Sequence, residues 1–125
     1  YTLSTDFCLL TVPGGLVQPG SSIRLSALWG GDTTAALKSQ RMRIGSTSIV
    51  VKQTSTAPHC EVTSVLRIGE NLQTQYIGSA ENAAVVNINA YSFDFSGDVA
   101  IGVAGTLPSA GTFLTLYGAS LRVEI

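Results

Sequence analysis

Charge is scarce in this chain of 125 residues: Asp, Glu, Lys and Arg make up 12% of it, about half the share usual in globular proteins. The net charge of -1 offers no electrostatic footing for nucleic acid or an anionic membrane surface. One histidine and two cysteines leave no tetrahedral zinc set by spacing. Two cysteines are also too few for a disulfide framework. Cys8 and Cys60 each lie in an apolar, strand-like run. There a free thiol acts as a small hydrophobe, and this is the expectation, with a Cys8–Cys60 bridge as the alternative. No apolar run is long enough to span a bilayer, and the opening residues do not look like a signal peptide, so no membrane insertion is expected. Helical periodicity is missing throughout; the Ala-containing stretches Thr33–Leu37 and Ser79–Ala84 are short and flanked by Gly, Asp or Ser.

What is present is alternation. Ile23, Leu25, Ala27 and Trp29 alternate with Arg24, Ser26 and Leu28, the period of a half-buried strand. Further strand signals cover Phe7–Val12, Lys38–Ile44, Ser48–Thr54, Cys60–Ile68, Leu72–Ile77, Val85–Phe95, Val99–Ala104 and Phe113–Ile125. Turn clusters such as Pro13-Gly14-Gly15, Pro19-Gly20-Ser21 and Gly69-Glu70-Asn71 separate them. Phe7–Val12 is apolar throughout, which suits a strand buried on both faces, and Gly118 marks a bulge in the last strand. The expected fold is all-β: one domain over 1–125, a jelly-roll-like sandwich of two antiparallel sheets with eight to nine strands and no significant helix. An immunoglobulin-like sandwich ranks second, because Trp29 does not lie between suitably placed cysteines.

Residues with chemical potential do not assemble into a catalytic set. In His59-Cys60-Glu61, neighbouring side chains of an extended strand point to opposite faces, so His59 and Cys60 do not share a site. Asp94, Ser96 and Asp98 fall short of the ligands a calcium loop needs and read as a turn. The Gly-Gly pairs at 14–15 and 30–31 precede no helix, so neither is a phosphate loop. Arg41 and Arg43 share one strand face. The expectation is therefore a protein that is not an enzyme, with no metal and no cofactor. Sandwich domains bind through their end loops. The candidates here are Trp29–Ala36, Thr54–His59, Gly78–Ala84 and Gly105–Thr112. The first choice is Trp29, Gly30, Gly31, Asp32, Thr33 and Thr34, and the second is Thr56 with His59. Trp29 has two readings, an indole at a loop mouth or an anchor in the core. Phe113–Ile125 and Val85–Phe95 carry apolar residues on both faces, which points to outer faces covered by other copies of the chain.

The stretch TVPGGLVQPGSSIRLSALWGGDTTAALKSQRMRIGSTSIV resembles tail-fibre and head-fibre domains of tailed bacteriophages. The shared positions are Pro13, Gly20, Ile23, Trp29, Lys38, Arg43, Gly45 and Thr47, with Arg67, Gln73 and Gln75 further on. Together they span about Thr11 to Ile77. Gly30-Gly31-Asp32 and Ala35-Ala36 stand where that pattern is richer in Asn, and this loop is where partner choice would lie. The resemblance implies a β-sandwich in a symmetric, often trimeric virion appendage, assembled in the cytoplasm of a bacterial host. Such a domain contacts a host-surface glycan or protein, or it decorates the capsid protein of the phage head. The start at Tyr1, without Met, fits a domain from a longer virion protein.

Overall fold

The computed structural model describes residues 3–57, 59–81 and 84–125, with side chains described except at 3–4 and 79–88. Among these residues there are nine strands and no helix: β1 (Leu3–Val12), β2 (Ser22–Gly31), β3 (Lys38–Ile44), β4 (Thr47–Thr54), β5 (Cys60–Ile68), β6 (Gln75–Glu81), β7 (Ala84–Tyr91), β8 (Val99–Leu107) and β9 (Leu114–Glu124). They form a four-stranded sheet, β1-β8-β3-β4, and a five-stranded sheet, β7-β6-β5-β2-β9. Every pairing is antiparallel. The fold is therefore the two-sheet sandwich expected from the alternation. Its jelly-roll character is partial: β1 and β8 pair across the length of the chain, but β3–β4 and β5–β6–β7 are hairpins that stay within one sheet.

Period-two patterning decides which residues meet between the sheets. Ile23, Leu25, Ala27 and Trp29 of β2 face inward with Cys60, Val62, Leu66 and Ile68 of β5. Met42 and Ile44 of β3 and Val99, Ile101 and Val103 of β8 come down from the opposite sheet. The β1 reading needs correction. This strand is an edge with β8 as its one partner, and Phe7, Leu9 and Leu10 are exposed, Leu10 to 55%. A continuous apolar run marks burial on both faces only for a strand flanked on both sides.

Several boundaries also shift. The strand expected at Val85–Phe95 ends at Tyr91, and the one expected at Leu72–Ile77 begins at Gln75. Both changes come from one buried clip. The Gln75 side chain, fully buried, donates to the Leu72 and Phe93 carbonyls at 3.0 and 2.7 Å and accepts from the Phe93 N–H at 2.7 Å. The Phe95 N–H donates to the Leu72 carbonyl at 3.0 Å. Residues 93–95 thus leave the sheet, and Phe95 plugs the end of the core. Satisfying these backbone groups through one amide replaces the ladder that a longer β7 would have used.

Bulges set the strand faces. In β9, Leu28 pairs with Gly118 but Trp29 pairs with Leu116, so Tyr117 is the extra residue, next to the glycine that signalled it. A second irregularity lies between Asp6 and Cys8 of β1. There the Cys8 carbonyl comes within 1.8 Å of where a Cβ on Gly102 would sit, so only glycine fits. Small residues along the outer face of β8, Gly102 and Ala104, let Arg43 on β3 reach over to Asp6 on β1 with both carboxylate oxygens bound, at 2.9 and 2.8 Å.

Candidate functional site

The first expected site, from Trp29 to Thr34, is a structural corner. Trp29 is 1% exposed, and Phe7 packs edge-on against its ring with centroids 5.3 Å apart. Its core reading is the correct one, since inward alternation carries it between the sheets. Gly30 and Gly31 belong to β2 and extend the strand past the expected loop boundary. Asp32 then organises everything that follows. Its carboxylate accepts from the Thr34 N–H at 2.9 Å, from the Thr34 hydroxyl and from the Phe113 N–H at 2.5 Å. Lys38, buried without residual exposure, places its ammonium 3.1 Å from Asp32. Its three N–H bonds run to the carbonyls of Thr34, Ala36 and Ser55, at 3.1, 3.0 and 2.9 Å. Burial works against ionisation of Asp32, but the bonds from Thr34, the Phe113 N–H and Lys38 outweigh it and hold the carboxyl well below the usual carboxylate range. Every functional atom of Asp32 and Lys38 is therefore committed to loop geometry. Thr33 is exposed beside them.

The second expected site, Thr56 with His59, lies on either side of Pro58, which is outside the described residues. Both are exposed, and they are not held together by any contact described. The expected loops at Gly78–Ala84 and Gly105–Thr112 are shorter than anticipated: β6 runs through Glu81, β7 begins at Ala84 and β8 runs through Leu107. Asn82 and Ala83 lie outside the described residues. Asp94 accepts at one oxygen from the Ser96 hydroxyl and N–H, 2.6 and 3.0 Å, and from Gln73 at 3.1 Å. These bonds lower its pKa and close the turn expected there. Neither Cys8 nor Cys60 is in a disulfide, and Cys60 is buried.

A different cluster emerges on the outer face of the five-stranded sheet. Antiparallel register places Leu28 of β2 between Gly118 of β9 and Glu61 of β5. One step along, Ser26 lies between Ser120 and Thr63, with its hydroxyl 3.2 Å from that of Thr63. Ser26, Leu28, Glu61, Gly118 and Ser120 line an open hollow of about 320 Å³. Next in the chain to Gly118 of that lining, the bulge residue Tyr117 lays its ring over Gly30, 2.5 Å from where a Cβ would stand. His59 lies near-parallel to that ring, with centroids 6.4 Å apart and an interplanar angle of 20°. Tyr117 remains 61% exposed. Below the hollow, Glu124 binds Arg122 and Arg24 at 2.9 and 3.3 Å, which lowers its pKa.

Alternation already put Leu28 and Glu61 on an outward face, and Gly118 signalled the bulge. Sequence reasoning missed the cluster because β2, β5 and β9 become neighbours only through long-range pairing.

No protein-family model matches the chain, and no curated protein is significantly similar to it.

Proposed function

We propose that this chain is a non-enzymatic virion domain of a tailed bacteriophage, a tail-fibre or head-fibre sandwich that attaches the particle to the host surface. The observation that carries the reading is the apolar band on a sandwich so poor in charge. Phe7, Leu9 and Leu10 of β1 and Phe113, just before β9, are all exposed. Edge strands of freestanding domains are commonly guarded by charge or proline, and β1 from Phe7 to Val12 has neither. Such a band suits packing against further copies in a symmetric, trimeric appendage. The resemblance of residues 11–77 to phage fibre domains supports the same conclusion.

Capsid decoration is the second reading, favoured by the length of the β1 edge, ten residues paired on one side only, which would lie along a coat lattice. One experiment separates the two. Fluorescently labelled protein is incubated with intact bacterial cells of candidate hosts and, separately, with genome-emptied phage capsids. Binding to cells is expected; binding to capsids alone would overturn attachment in favour of decoration.

A further inference from the structure

We propose that the hollow on the outer face of the five-stranded sheet is a binding site for a neutral, hexopyranose-based oligosaccharide. This deepens the attachment reading and rests on it for biological meaning, but the chemistry of the site stands on its own residues.

The described carboxylates are otherwise almost all engaged: Asp6 with Arg43, Asp32 with Lys38, Asp94 with Ser96, Asp98 with the Gly14 N–H and Glu124 with two arginines. Glu61 has no hydrogen bond or ion pair among the described residues, and it stands in the wall of the hollow. The Ser120 hydroxyl, also in the wall, is likewise unengaged. The wall therefore offers strong acceptors and a hydroxyl donor, with no cation lining it. An anionic ligand would face an unpaired carboxylate; a neutral polyol would supply the O–H donors that a carboxylate takes.

The remaining groups suit the other side of a sugar. A pyranose carries hydroxyls at its edge and C–H groups across its face. Tyr117 presents an exposed ring backed by Gly30, and Leu28 presents an apolar side chain on the floor, 49% exposed. The ring lies over Gly30 and near-parallel to the His59 ring, two contacts that narrow its freedom before a ligand arrives. From β9 across β2 to β5 the face spans about 10 Å, two strand spacings. The hollow volume is at the small end of ligand sites, near the lower limit of about 300 Å³. The site is shallow, which fits a chain end or a single residue of a longer glycan rather than an enclosed small molecule.

The test uses a printed array of neutral hexose oligosaccharides, including neutral bacterial surface repeats, probed with the labelled 125-residue chain. A subset of these sugars should bind. Tyr117→Ala and Glu61→Gln should each weaken that binding about tenfold, the loss expected for a stacking contact or a charged hydrogen bond. Ser48→Ala, on the opposite sheet, should leave it unchanged. Titrating a retained sugar into the unaltered protein should shift the amide resonances of Leu28, Gly118 and Ser120, a readout that does not depend on a variant folding. Absence of binding to every array sugar at millimolar concentration would overturn the proposal. So would binding that shifts only resonances elsewhere. Sugar binding at this face by a protein that ignores cells would sink the attachment reading and leave the site intact. Cell binding that survives periodate oxidation of the cells and maps away from Tyr117 would do the reverse.

Discussion

Lys38 shows how one residue can look ordinary in sequence and be decisive in the fold. Alternation puts it in phase with Gln40, Met42 and Ile44, all of them buried. A lysine in that phase is costly unless paired, and here Asp32 and three carbonyls pair it. Lys38→Met should destabilise the chain by about 2–4 kcal/mol in denaturant titration, because the carbonyls and carboxylate are left without their donor. Asp32 gives the same corner a pH dependence. Its folded pKa lies below its unfolded one, so the ionised form contributes stability above the usual carboxylate range, about pH 4. That contribution is lost as pH falls through the folded value. Denaturant midpoints followed from neutral to strongly acid solution should begin to fall near pH ~4 and go on falling below it, and Asp32→Asn should lessen that fall. The thiols offer a separate check. Two thiols per chain should react with a maleimide after denaturation without reductant, and Cys60 should be protected before it.

At the scale of elements, the strand limits depend on side chains that substitute for the ladder. Gln75 ends β7 early by taking the Phe93 backbone for itself. Gln75→Leu keeps the volume but strands the Phe93 carbonyl and N–H, while the Leu72 carbonyl keeps the Phe95 N–H, with an expected cost of about 2–3 kcal/mol and faster hydrogen exchange at Phe93. Gln73 and Gln75 both fall in the strand expected at Leu72–Ile77, and nothing in its pattern distinguishes the exposed Gln73 from the buried Gln75. The β1–β8 pairing depends in turn on Gly102. Gly102→Ala would drive a Cβ into the Cys8 carbonyl, so β1 must move or detach, whereas Gly118→Ala meets open space. Thermal melts of the two variants should differ accordingly, with the loss confined to Gly102→Ala.

For the whole molecule, the question is what covers the band along β1 and β9. Phe7, Leu107, Phe113 and Leu114 also line an apolar hollow of about 230 Å³ where the sheets part at that edge. Light scattering at micromolar concentration should give a mass above the monomer's, and Leu10→Glu should lower it; a strict monomer would refute assembly through this edge. The sequence by itself determined the class of the fold. A period of two leaves one apolar face per strand, two such sheets bury each other, and the number and order of the nine strands follow from turns and alternation, with limits that differ in β1, β6, β7 and β8. It also placed Asp94 in a turn, His59 and Cys60 on opposite faces and the bulge beside Gly118. Only the tertiary structure decided the partners of each strand, and with them the fate of each candidate residue. The β1 run became an edge because β8 is its one neighbour. Asp32 became a loop anchor because Lys38 and Phe113 converge on it, and Glu61 came to stand across Leu28 from Gly118 because β5 and β9 both pair with β2. Local periodicity carries the orientation of a side chain. Which distant strand stands beside it is settled by the competition among long-range pairings, and the face that matters most here is built from three of them.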